Sequence, residues 1–308
     1  MKFGRALEGY WLEKEQDFSP HTVRDYQYTF ERFRQFIGDC DVAEITSDDI
    51  RRFLNIHLVK KFKLSDKSRC NAWVALASFW TWAEHELKVE HVIRGRIKQP
   101  SYRKPLIVPY TELEVRSMLA AVEYTAGWTG RAGGSARSRR PTGLRDRAIL
   151  LTLFDTGVRA SELTEFEVRD YLQEQGQLTV RHGKGDKRRI VVLGQTGRKA
   201  LWHYLASRED LRPSDPLFAT RTGAKLGRSE LLHMIQRAAK RSGVTHANVH
   251  KFRHSFAINF LRNGGNLLEL QEMLGHEKLE TIRIYAKLAE VDLAAAQRRA
   301  SPADRWRL

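Results

Sequence analysis

The chain has 308 residues, a length typical of about two domains of ordinary size. Hydrophobic residues make up 42% of the chain, which excludes wholesale disorder because this share suffices to bury real cores. The formal net charge is +16 at pH 7. A basic excess of this size favours a nucleic-acid partner over a basic protein that binds no polyanion, but charge alone names no chemistry.

Cysteine usage and hydropathy narrow the class of protein further. Cys40 and Cys70 do not sit at a metal-binding spacing, which argues against a disulfide framework and against a structural zinc site. The first turns carry charges throughout, and no apolar run approaches the roughly 20 residues that cross a bilayer. We therefore expect a protein of a reducing compartment, cytoplasmic and nucleoid-associated, without membrane contact.

Residues 1–100 are predicted to form a small helical domain. One helix has Ser19 as its N-cap and ends at Gly38, and a second begins at Thr46 or Ser47. The apolar stripes repeat at the helical period and are Tyr26, Phe30, Phe33 and Ile37, then Ile50, Phe53, Leu54 and Leu58, then, in a third helix after Ser65, Trp73, Leu76, Ala77 and Trp80. The basic residues off these stripes are candidates for DNA contact: Lys60, Lys61, Lys63, Lys67 and Arg69.

A basic segment with several prolines separates this domain from the rest of the chain. Prolines recur between residues 94 and 109, so we predict an interdomain linker at residues 101–110. Thr111 and Glu114 have the spacing of a capping box, which predicts that a new helix opens a second domain there.

Residues 111–308 are predicted to be mostly helical from Gly143 onward, with one interruption. Two β-prone runs, 178–182 and 189–193, flank a glycine-containing turn and predict a hairpin. Residues 131–141 are rich in Gly, Ser and Arg, which predicts a flexible basic loop. The predicted fold class is therefore mainly α with a small antiparallel β-hairpin or sheet.

Four short segments of the second domain carry side chains suited to phosphate chemistry. Each of them has an ordinary structural explanation when taken alone, so they carry weight only as a set. In chain order they hold Arg159 after a glycine turn at a helix start, Lys184 in the hairpin turn, His250 and Arg253 on one helix face, and His276 with Tyr285 nine positions later.

Cleavage of a phosphodiester without a metal needs a nucleophile, cations for the nonbridging oxygens and a proton for the leaving oxygen. The planar fork of a guanidinium group matches two phosphate oxygens, and preorganised cations commonly supply the largest share of the rate. A phenol, whose ordinary pKa is about 10, needs a base or a positive surround to act as the nucleophile. Histidine and lysine side chains can transfer the protons.

The ordered set Arg, Lys, His-x-x-Arg, Leu-Gly-His, Tyr resembles the catalytic signature of the tyrosine recombinases, the phage-integrase and Xer-type family. The flanking sequences Thr-Gly-Val-Arg-Ala-Ser-Glu-Leu and Phe-Arg-His-Ser-Phe-Ala are also similar to those of the family. The resemblance covers the second domain and, more loosely, the first. It implies a two-domain clamp on double-stranded DNA, with a core-binding domain at residues 1–100 and a catalytic domain at residues 111–308.

The resemblance also implies a role for each matched residue. Tyr285 attacks the scissile phosphate and gives a 3′-phosphotyrosine with a free 5′-hydroxyl. His250 takes the tyrosine proton as the general base, and Lys184 protonates the departing 5′-oxygen. This chemistry implies an enzyme that uses no cofactor, no metal and no ATP.

The remaining matched residues contact the phosphate in this interpretation. Arg159 and Arg253 hold the nonbridging oxygens, and His276 adds a hydrogen bond to the same phosphate. Glu162, one turn after Arg159, has two readings, as a carboxylate that orients the guanidinium or as one half of a helix-surface pair. His254 is expected to pack behind the site rather than act in it.

Three alternatives stay open at this point. A type IB topoisomerase uses much the same chemistry, and a non-catalytic DNA-binding relative would use none. A metal-dependent hydrolase would bind zinc through His250, His254 and a carboxylate such as Glu272, but it leaves the arginines, the lysine and the tyrosine unexplained. The loop at 131–141 and the sequence after Tyr285 depart from the compact Xer pattern, which favours an integrase or a transposon recombinase.

The chain beyond Tyr285 predicts an amphipathic tail. A short helix with one apolar face must bury that face, either on its own domain or on a neighbour. In the resembled family such tails link protomers cyclically, so we expect a tetramer on paired DNA sites. The apolar residues of the tail are Leu288, Val291, Leu293, Ala294, Ala295 and Ala296, followed by Arg298 and Arg299.

Overall fold

The computed structural model describes residues 1–103, 106–125, 128–129, 135–181, 188–275 and 280–289, together with residues 297, 301 and 303. The chain divides into two compact units, Met1–Pro105 and Leu106–Leu308. Within the described ranges, none of the helices combines the length and the hydrophobicity that a bilayer-spanning segment needs. The mainly helical fold with one small antiparallel sheet agrees with the predicted fold class.

The first unit is a bundle of helices around an aromatic core. Its helices are α1 (Phe3–Lys14), α2 (Pro20–Ile37), α3 (Ser47–Arg52), α4 (Leu58–Lys60) and α5 (Asp66–Glu86). Ser19 is confirmed as an N-cap, and Thr46 rather than Ser47 caps the second predicted helix; Ser65 caps the third, and each side chain accepts a hydrogen bond from a backbone N–H of the first turn. The apolar face predicted from Ile50 to Leu58 is buried, which confirms the second stripe.

Helix α1 was not predicted. Its buried residues Phe3, Ala6 and Tyr10 follow the helical period, so a weak stripe was present in the sequence. The charged residues between them obscure the apolar pattern. The N-cap residue Lys2 also makes no capping hydrogen bond with its side chain, so no cap residue in the sequence indicates where the helix starts.

A π-helical turn, Phe53–His57, joins α3 to α4, and Arg69 of α5 stabilises it. The guanidinium of Arg69 donates to the Leu54 carbonyl at 3.1 Å and to Asn55 Oδ1 at 2.6 Å. It also pairs with Asp66 at 2.8 Å. Because these bonds engage its guanidinium inside the unit, Arg69 is a weaker candidate for DNA contact than the sequence suggested.

The second unit holds the remaining helices and all of the strands among the described residues. Its helices are α6 (Glu112–Glu123), α7 (Gly143–Thr156), α8 (Ala160–Glu165), α9 (Gln195–Ala206), α10 (Arg228–Ser242), α11 (Val249–Arg262), α12 (Leu267–Leu274) and α13 (Glu280–Ala289). The predicted capping box at Thr111 and Glu114 is confirmed. Helix α7 is buried along most of its length and packs against α6, α9 and α11, so it forms the centre of this unit.

The predicted hairpin is confirmed and gains a third strand. Strands β4 (Gln177–Val180) and β5 (Arg189–Val192) pair antiparallel, with Leu178 opposite Val191, and β3 (Tyr171–Leu172) pairs with the other edge of β4. The turn between β4 and β5 includes Lys184 and lies outside the described residues.

The region that we predicted as a flexible basic loop contains some regular structure. Strands β1 (Trp128–Thr129) and β2 (Ser135–Ala136) pair antiparallel, and the Thr125 N–H donates to the Ser138 carbonyl at 2.9 Å. The sequence did not predict the short strand at Ser135–Ala136, because strands of two residues are too short to show an alternating pattern. The flexibility expected for residues 131–141 stays a prediction.

Candidate active site

The candidate site lies at the C-terminal end of α7, where the chain turns abruptly. Gly157 closes this helix with a φ of 61°, in the left-handed region that favours glycine. A Cβ atom there would lie 2.4 Å from Phe256 Cδ1 and 3.0 Å from Leu274 Cδ2, so α11 and α12 approach this bend too closely for any side chain. Two residues later Arg159 begins α8, as predicted.

A buried carboxylate, Glu162, holds the side chain of Arg159. Its side chain is 2% exposed, and Oε1 accepts from Arg159 Nη1 at 2.7 Å while Oε2 accepts from the Arg159 backbone N–H at 2.7 Å. Arg189 of β5 donates to the same carboxylate at 2.9 and 2.7 Å. Burial alone would raise the pKa of Glu162, but the bonds from Arg189 and Arg159 lower it to about 2. The carboxylate therefore orients Arg159, which settles the choice between the two readings of Glu162.

Arg253 is the deepest cation of the cluster. It is 5% exposed, and its guanidinium donates to the Gly157 carbonyl at 2.7 Å and to the Leu274 carbonyl at 2.6 Å. Burial, together with the positive charge of Arg159, lowers the pKa of Arg253 to about 10. The side chain still carries its charge near neutral pH, so Arg253 is a permanent positive charge in the interior of the second unit.

The C-terminal end of α12 gathers the arginines. The carbonyl of Met273 accepts from Arg189 at 2.8 Å, and the carbonyl of Leu274 accepts from Arg253. The carbonyl of Gly275, the left-handed C-cap, lies 3.5 Å from Arg159 Nη2. The last carbonyls of a helix carry partial negative charge and lack helical partners, so they favour cations at this end.

The described part of the site has a surplus of positive charge. The guanidinium groups of Arg159 and Arg189 are both bonded to the Glu162 carboxylate, and the charge of Arg253 lies close enough to interact electrostatically with all three. Arg189 is turned toward Glu162 and Met273, whereas Arg159 is 24% exposed and stands at the opening of the cluster. An anion such as a phosphate suits this arrangement because the forked donors are already in place.

Tyr285 of α13 lies against this cluster. It is 4% exposed, and its hydroxyl oxygen is 2.8 Å from Nδ1 of His254 on α11. Burial raises the pKa of the Tyr285 phenol, while the nearby charges of Arg253 and Arg159 lower it. The arginines of the cluster and the tyrosine, 126 positions apart in the case of Arg159 and Tyr285, are thereby brought into one electrostatic environment.

The position of His254 differs from our expectation. We expected its side chain to pack behind the site, whereas its imidazole is within hydrogen-bond distance of the Tyr285 hydroxyl. Burial lowers the pKa of His254, and the charges of His250 and Arg253 lower it further. The hydrolase hypothesis used this residue as a zinc ligand together with Glu272, whose side chain is exposed. The i, i+4 spacing from His250 was the signal that could have placed His254 on the active face.

Helix α11 is fixed in place from its other side. The backbone N–H of Tyr110 donates to Ser255 Oγ at 2.7 Å, and the Tyr110 ring packs on Phe252 with centroids 4.7 Å apart. Asn248 caps the helix through a 2.8 Å bond from the Lys251 N–H. These contacts fix the position of α11, the helix that carries Arg253 and His254.

The predicted site residues fall into two groups. Arg159, Arg253 and Tyr285 converge, and His250 is an exposed residue in the first turn of the helix that carries Arg253. Lys184 and His276 lie outside the described residues. Their roles remain predictions.

Arg189 is a site residue that the sequence reasoning missed. It begins β5 two positions before the buried Val191, so the alternation of a strand places both side chains on the same face. An arginine on the buried face of a strand needs an acidic partner, and in this structure that partner is Glu162.

Two family profiles match the chain. The profile of the phage integrase family matches residues 111–291, and the profile of its N-terminal SAM-like domain matches residues 7–87.

Characterised relatives match along most of the chain. The tyrosine recombinase XerC of Pelobacter propionicus is 31% identical over 286 residues, which is 90% of this chain and 88% of the relative. The tyrosine recombinase XerA of Thermococcus kodakarensis is 31% identical over 285 residues, with 92% and 90% covered.

Solved structures share the fold at lower identity. The Tn1549 transposon integrase in complex with a circular intermediate DNA superposes with a TM-score of 0.74 at 16% identity, and 92% of this chain and 95% of that chain are covered. The XerH recombinase bound to a palindromic difH substrate gives 0.70 at 21% identity, with 95% and 82% covered. Relatives and structures thus include both Xer recombinases and integrases, and our expectation of an integrase or transposon role stays a prediction.

Proposed function

The chain belongs to the phage integrase family and is a tyrosine recombinase, an enzyme of site-specific DNA recombination, and from this premise we propose that Tyr285 is its nucleophile. One observation carries the assignment. The Tyr285 hydroxyl is buried, which raises the pKa of the phenol, and the positive charges of Arg253 and Arg159 beside it oppose that rise and would stabilise the phenolate. A phenol needs such surroundings before it can attack phosphorus.

The proposed reaction is a transesterification. The Tyr285 oxygen forms a bond to the scissile phosphorus as the bond to the 5′-oxygen breaks, which leaves a 3′-phosphotyrosine and a 5′-hydroxyl. Arg159 and Arg253 hold the nonbridging oxygens, and their preorganisation by Glu162 and by backbone carbonyls supports this role. The phosphodiester bond of the DNA is exchanged for a phosphotyrosine ester bond of similar energy, so rejoining needs no ATP.

The family pattern supplies the other proposed roles. Lys184 is the acid for the 5′-oxygen, His276 contacts the phosphate, and the family pattern gives the role of general base to His250. Gly275 ends α12 directly before His276 in the chain, among the carbonyls that hold the arginines, which supports a place for His276 near the phosphate.

The proposed partner is a double-stranded recombination site, on which four protomers assemble around two duplexes. The net charge of +16 and the DNA complexes of the structural neighbours support a DNA partner. The assembly rests on the apolar C-terminal tail, which we propose docks on the next protomer and closes a ring. Residue ranges 1–100 and 111–308 are proposed as the core-binding and catalytic domains, joined by a linker at residues 101–110.

A covalent-trapping experiment tests the nucleophile. Duplexes that the protein selects from random-sequence DNA are rebuilt with a nick next to the cleavage point, so that the cleaved end is lost and the adduct accumulates. We expect the wild-type chain to form an adduct in EDTA, which mass spectrometry of the digested adduct places on Tyr285.

The matched variants are Tyr285→Phe and, as a control, Tyr171→Phe in strand β3. The first should bind the duplex without attaching to it, and the second should attach like the wild type. An adduct formed by Tyr285→Phe would show that another residue is the nucleophile. Loss of the wild-type adduct in EDTA would favour a metal-dependent reaction instead.

A further inference from the structure

A histidine outside the six-residue signature lies in direct contact with the proposed nucleophile. Nδ1 of His254 is 2.8 Å from the Tyr285 hydroxyl oxygen, and the two ring centroids are 5.6 Å apart. Resting on the proposed role of Tyr285, we propose that His254 is a further catalytic residue, the immediate acceptor of the phenolic proton. This gives His254 the step that the family pattern gives to His250.

The position of His254 is fixed by its neighbours along α11. On one side Arg253 is bonded to the carbonyls of Gly157 and Leu274, and on the other side Ser255 accepts the bond from the Tyr110 backbone. The backbone on both sides of His254 is thus held in place. A base that must stay within hydrogen-bond reach of a proton requires this kind of support.

The charges around the pair suit a transfer from the phenol to the imidazole. The charged and titratable groups that act on His254 are His250 and Arg253 of α11. Those that act on Tyr285 are Arg253 and Arg159, which lies at the start of α8. Burial and the two basic neighbours on α11 lower the pKa of His254, so its imidazole is neutral near pH 7 and has a lone pair to offer. Burial raises the pKa of the Tyr285 phenol, and the two arginines offset part of that rise by favouring the phenolate.

The proposed step is balanced in both directions. As the bond from the Tyr285 oxygen to phosphorus forms, the phenolic proton moves to His254 Nδ1, and the departing 5′-oxygen takes a proton from the proposed acid, Lys184. During rejoining the 5′-hydroxyl returns its proton to Lys184, and Tyr285 leaves phosphorus with the proton that His254 had held. No proton or electron is gained or lost over the cycle.

Substitution of His254 separates proton transfer from positioning. Asparagine can keep a hydrogen bond to the hydroxyl but cannot take up a proton, and alanine can do neither. We expect both His254→Asn and His254→Ala to form the adduct about 10²-fold more slowly than wild type in single-turnover reactions on the nicked duplex. His203→Asn, at an exposed histidine of α9, should react at the wild-type rate. A wild-type rate for His254→Asn would overturn the proposal, since a hydrogen bond alone would then suffice.

Thermal unfolding and duplex binding, measured for each variant, identify any that fails to fold. Should His254→Ala unfold, His254→Asn and His254→Gln keep the comparison, because both fill most of the same volume and neither accepts a proton.

A second substrate distinguishes activation of the nucleophile from protonation of the leaving group. A sulfur atom in place of the bridging 5′-oxygen leaves as a thiolate and needs no acid. On this substrate His254→Asn should stay slow relative to wild type, whereas Lys184→Ala should recover. Recovery of His254→Asn would overturn the proposal, and so would a slow His250→Asn beside a fast His254→Asn. An adduct formed by Tyr285→Phe would instead overturn the proposed nucleophile, so the two failures are distinguishable.

Discussion

Arg189 and Glu162 form a two-pronged ion pair, with contacts of 2.9 and 2.7 Å, that joins the first residue of β5 to the first turn of α8. The side chains are 10% and 2% exposed, so the pair is held away from water. Glu162 also accepts a hydrogen bond from Arg159, so a strand residue stabilises the carboxylate that orients the arginine proposed to bind the phosphate. The position of the Arg159 guanidinium therefore depends on the sheet as well as on its own helix.

Removal of Arg189 should affect both stability and chemistry. Arg189→Ala leaves Glu162 buried with one cation fewer, and loss of one member of a buried pair typically costs about 3 kcal/mol of unfolding free energy. We expect a lower denaturation midpoint and slower adduct formation, measured by urea unfolding and by the nicked duplex. Arg116→Ala, which breaks an exposed pair with Glu112, is the control and should change neither. Equal stability of the two variants would show that the β5–α8 pair contributes little.

Acid should weaken the catalytic unit through Glu162. The pKa of this group is lowered from 4.5 to about 2, so the stability that it contributes is complete above pH 4.5 and is lost as the pH falls toward 2. The contribution is about 3 kcal/mol by linkage. In urea unfolding from pH 6 to pH 2, Glu162→Gln should start less stable and lose less stability over this window. Parallel curves for the variant and the wild type would contradict the lowered pKa.

Arg159 and Arg253, the two arginines proposed to hold the phosphate, should matter for cleavage far more than for binding. We expect Arg159→Ala and Arg253→Ala to slow adduct formation by about 10²- to 10³-fold, as for other preorganised donors. Arg253→Lys should also be slow, because an ammonium group cannot span the carbonyls of Gly157 and Leu274 and still present a fork to phosphate. Electrophoretic binding to the intact duplex should change little, since many other phosphate contacts remain. A loss of binding as large as the loss of rate would point to a role in DNA affinity instead.

Gly157 should tolerate no side chain. Gly157→Ala combines a left-handed φ of 61° with a Cβ placed 2.4 Å from Phe256, and overpacking of a core commonly costs about 1–3 kcal/mol beyond the backbone strain. Gly243→Ala is a matched control, because Gly243 also ends a helix in the left-handed region, with a φ of 72°, but has open space around it. The difference between the unfolding free energies of the two variants measures the contact of α7 with α11. Similar unfolding free energies for the two variants would show that α11 can shift to accommodate the added methyl group at little cost.

The C-terminal tail should be needed for assembly and dispensable for binding a single site. We expect a protein that is largely monomeric alone and tetrameric on paired sites, and deletion of the residues after Val291 should abolish the tetramer and strand exchange. Light scattering with paired-site DNA measures the first, and exchange between two labelled duplexes measures the second. Wild-type recombination by the truncated chain would leave the tail as a cap on its own domain.

Local features of this protein could be predicted from the sequence by itself. The caps at Ser19, Thr46 and Ser65 and the capping box at Thr111 depend on hydrogen bonds between residues three positions apart, so the code for them is contained in a few adjacent residues. The small sheet followed from two β-prone runs around a turn. The candidate site residues followed from the ordered residues of a known signature, and three of them, Arg159, Arg253 and Tyr285, share one electrostatic environment in the structure.

Only the tertiary structure decided which partners these residues have. His254 meets Tyr285 across 31 positions of sequence, and Arg189 reaches Glu162 across 27, because α11, α13 and β5 are brought together by the burial of apolar faces that lie elsewhere on each element. No local pattern carries the angle at which two helices cross or the distance between them. Those quantities determine which side chain receives the tyrosine proton and which carboxylate orients an arginine, so the chemistry of the site depends on packing that the linear sequence does not display.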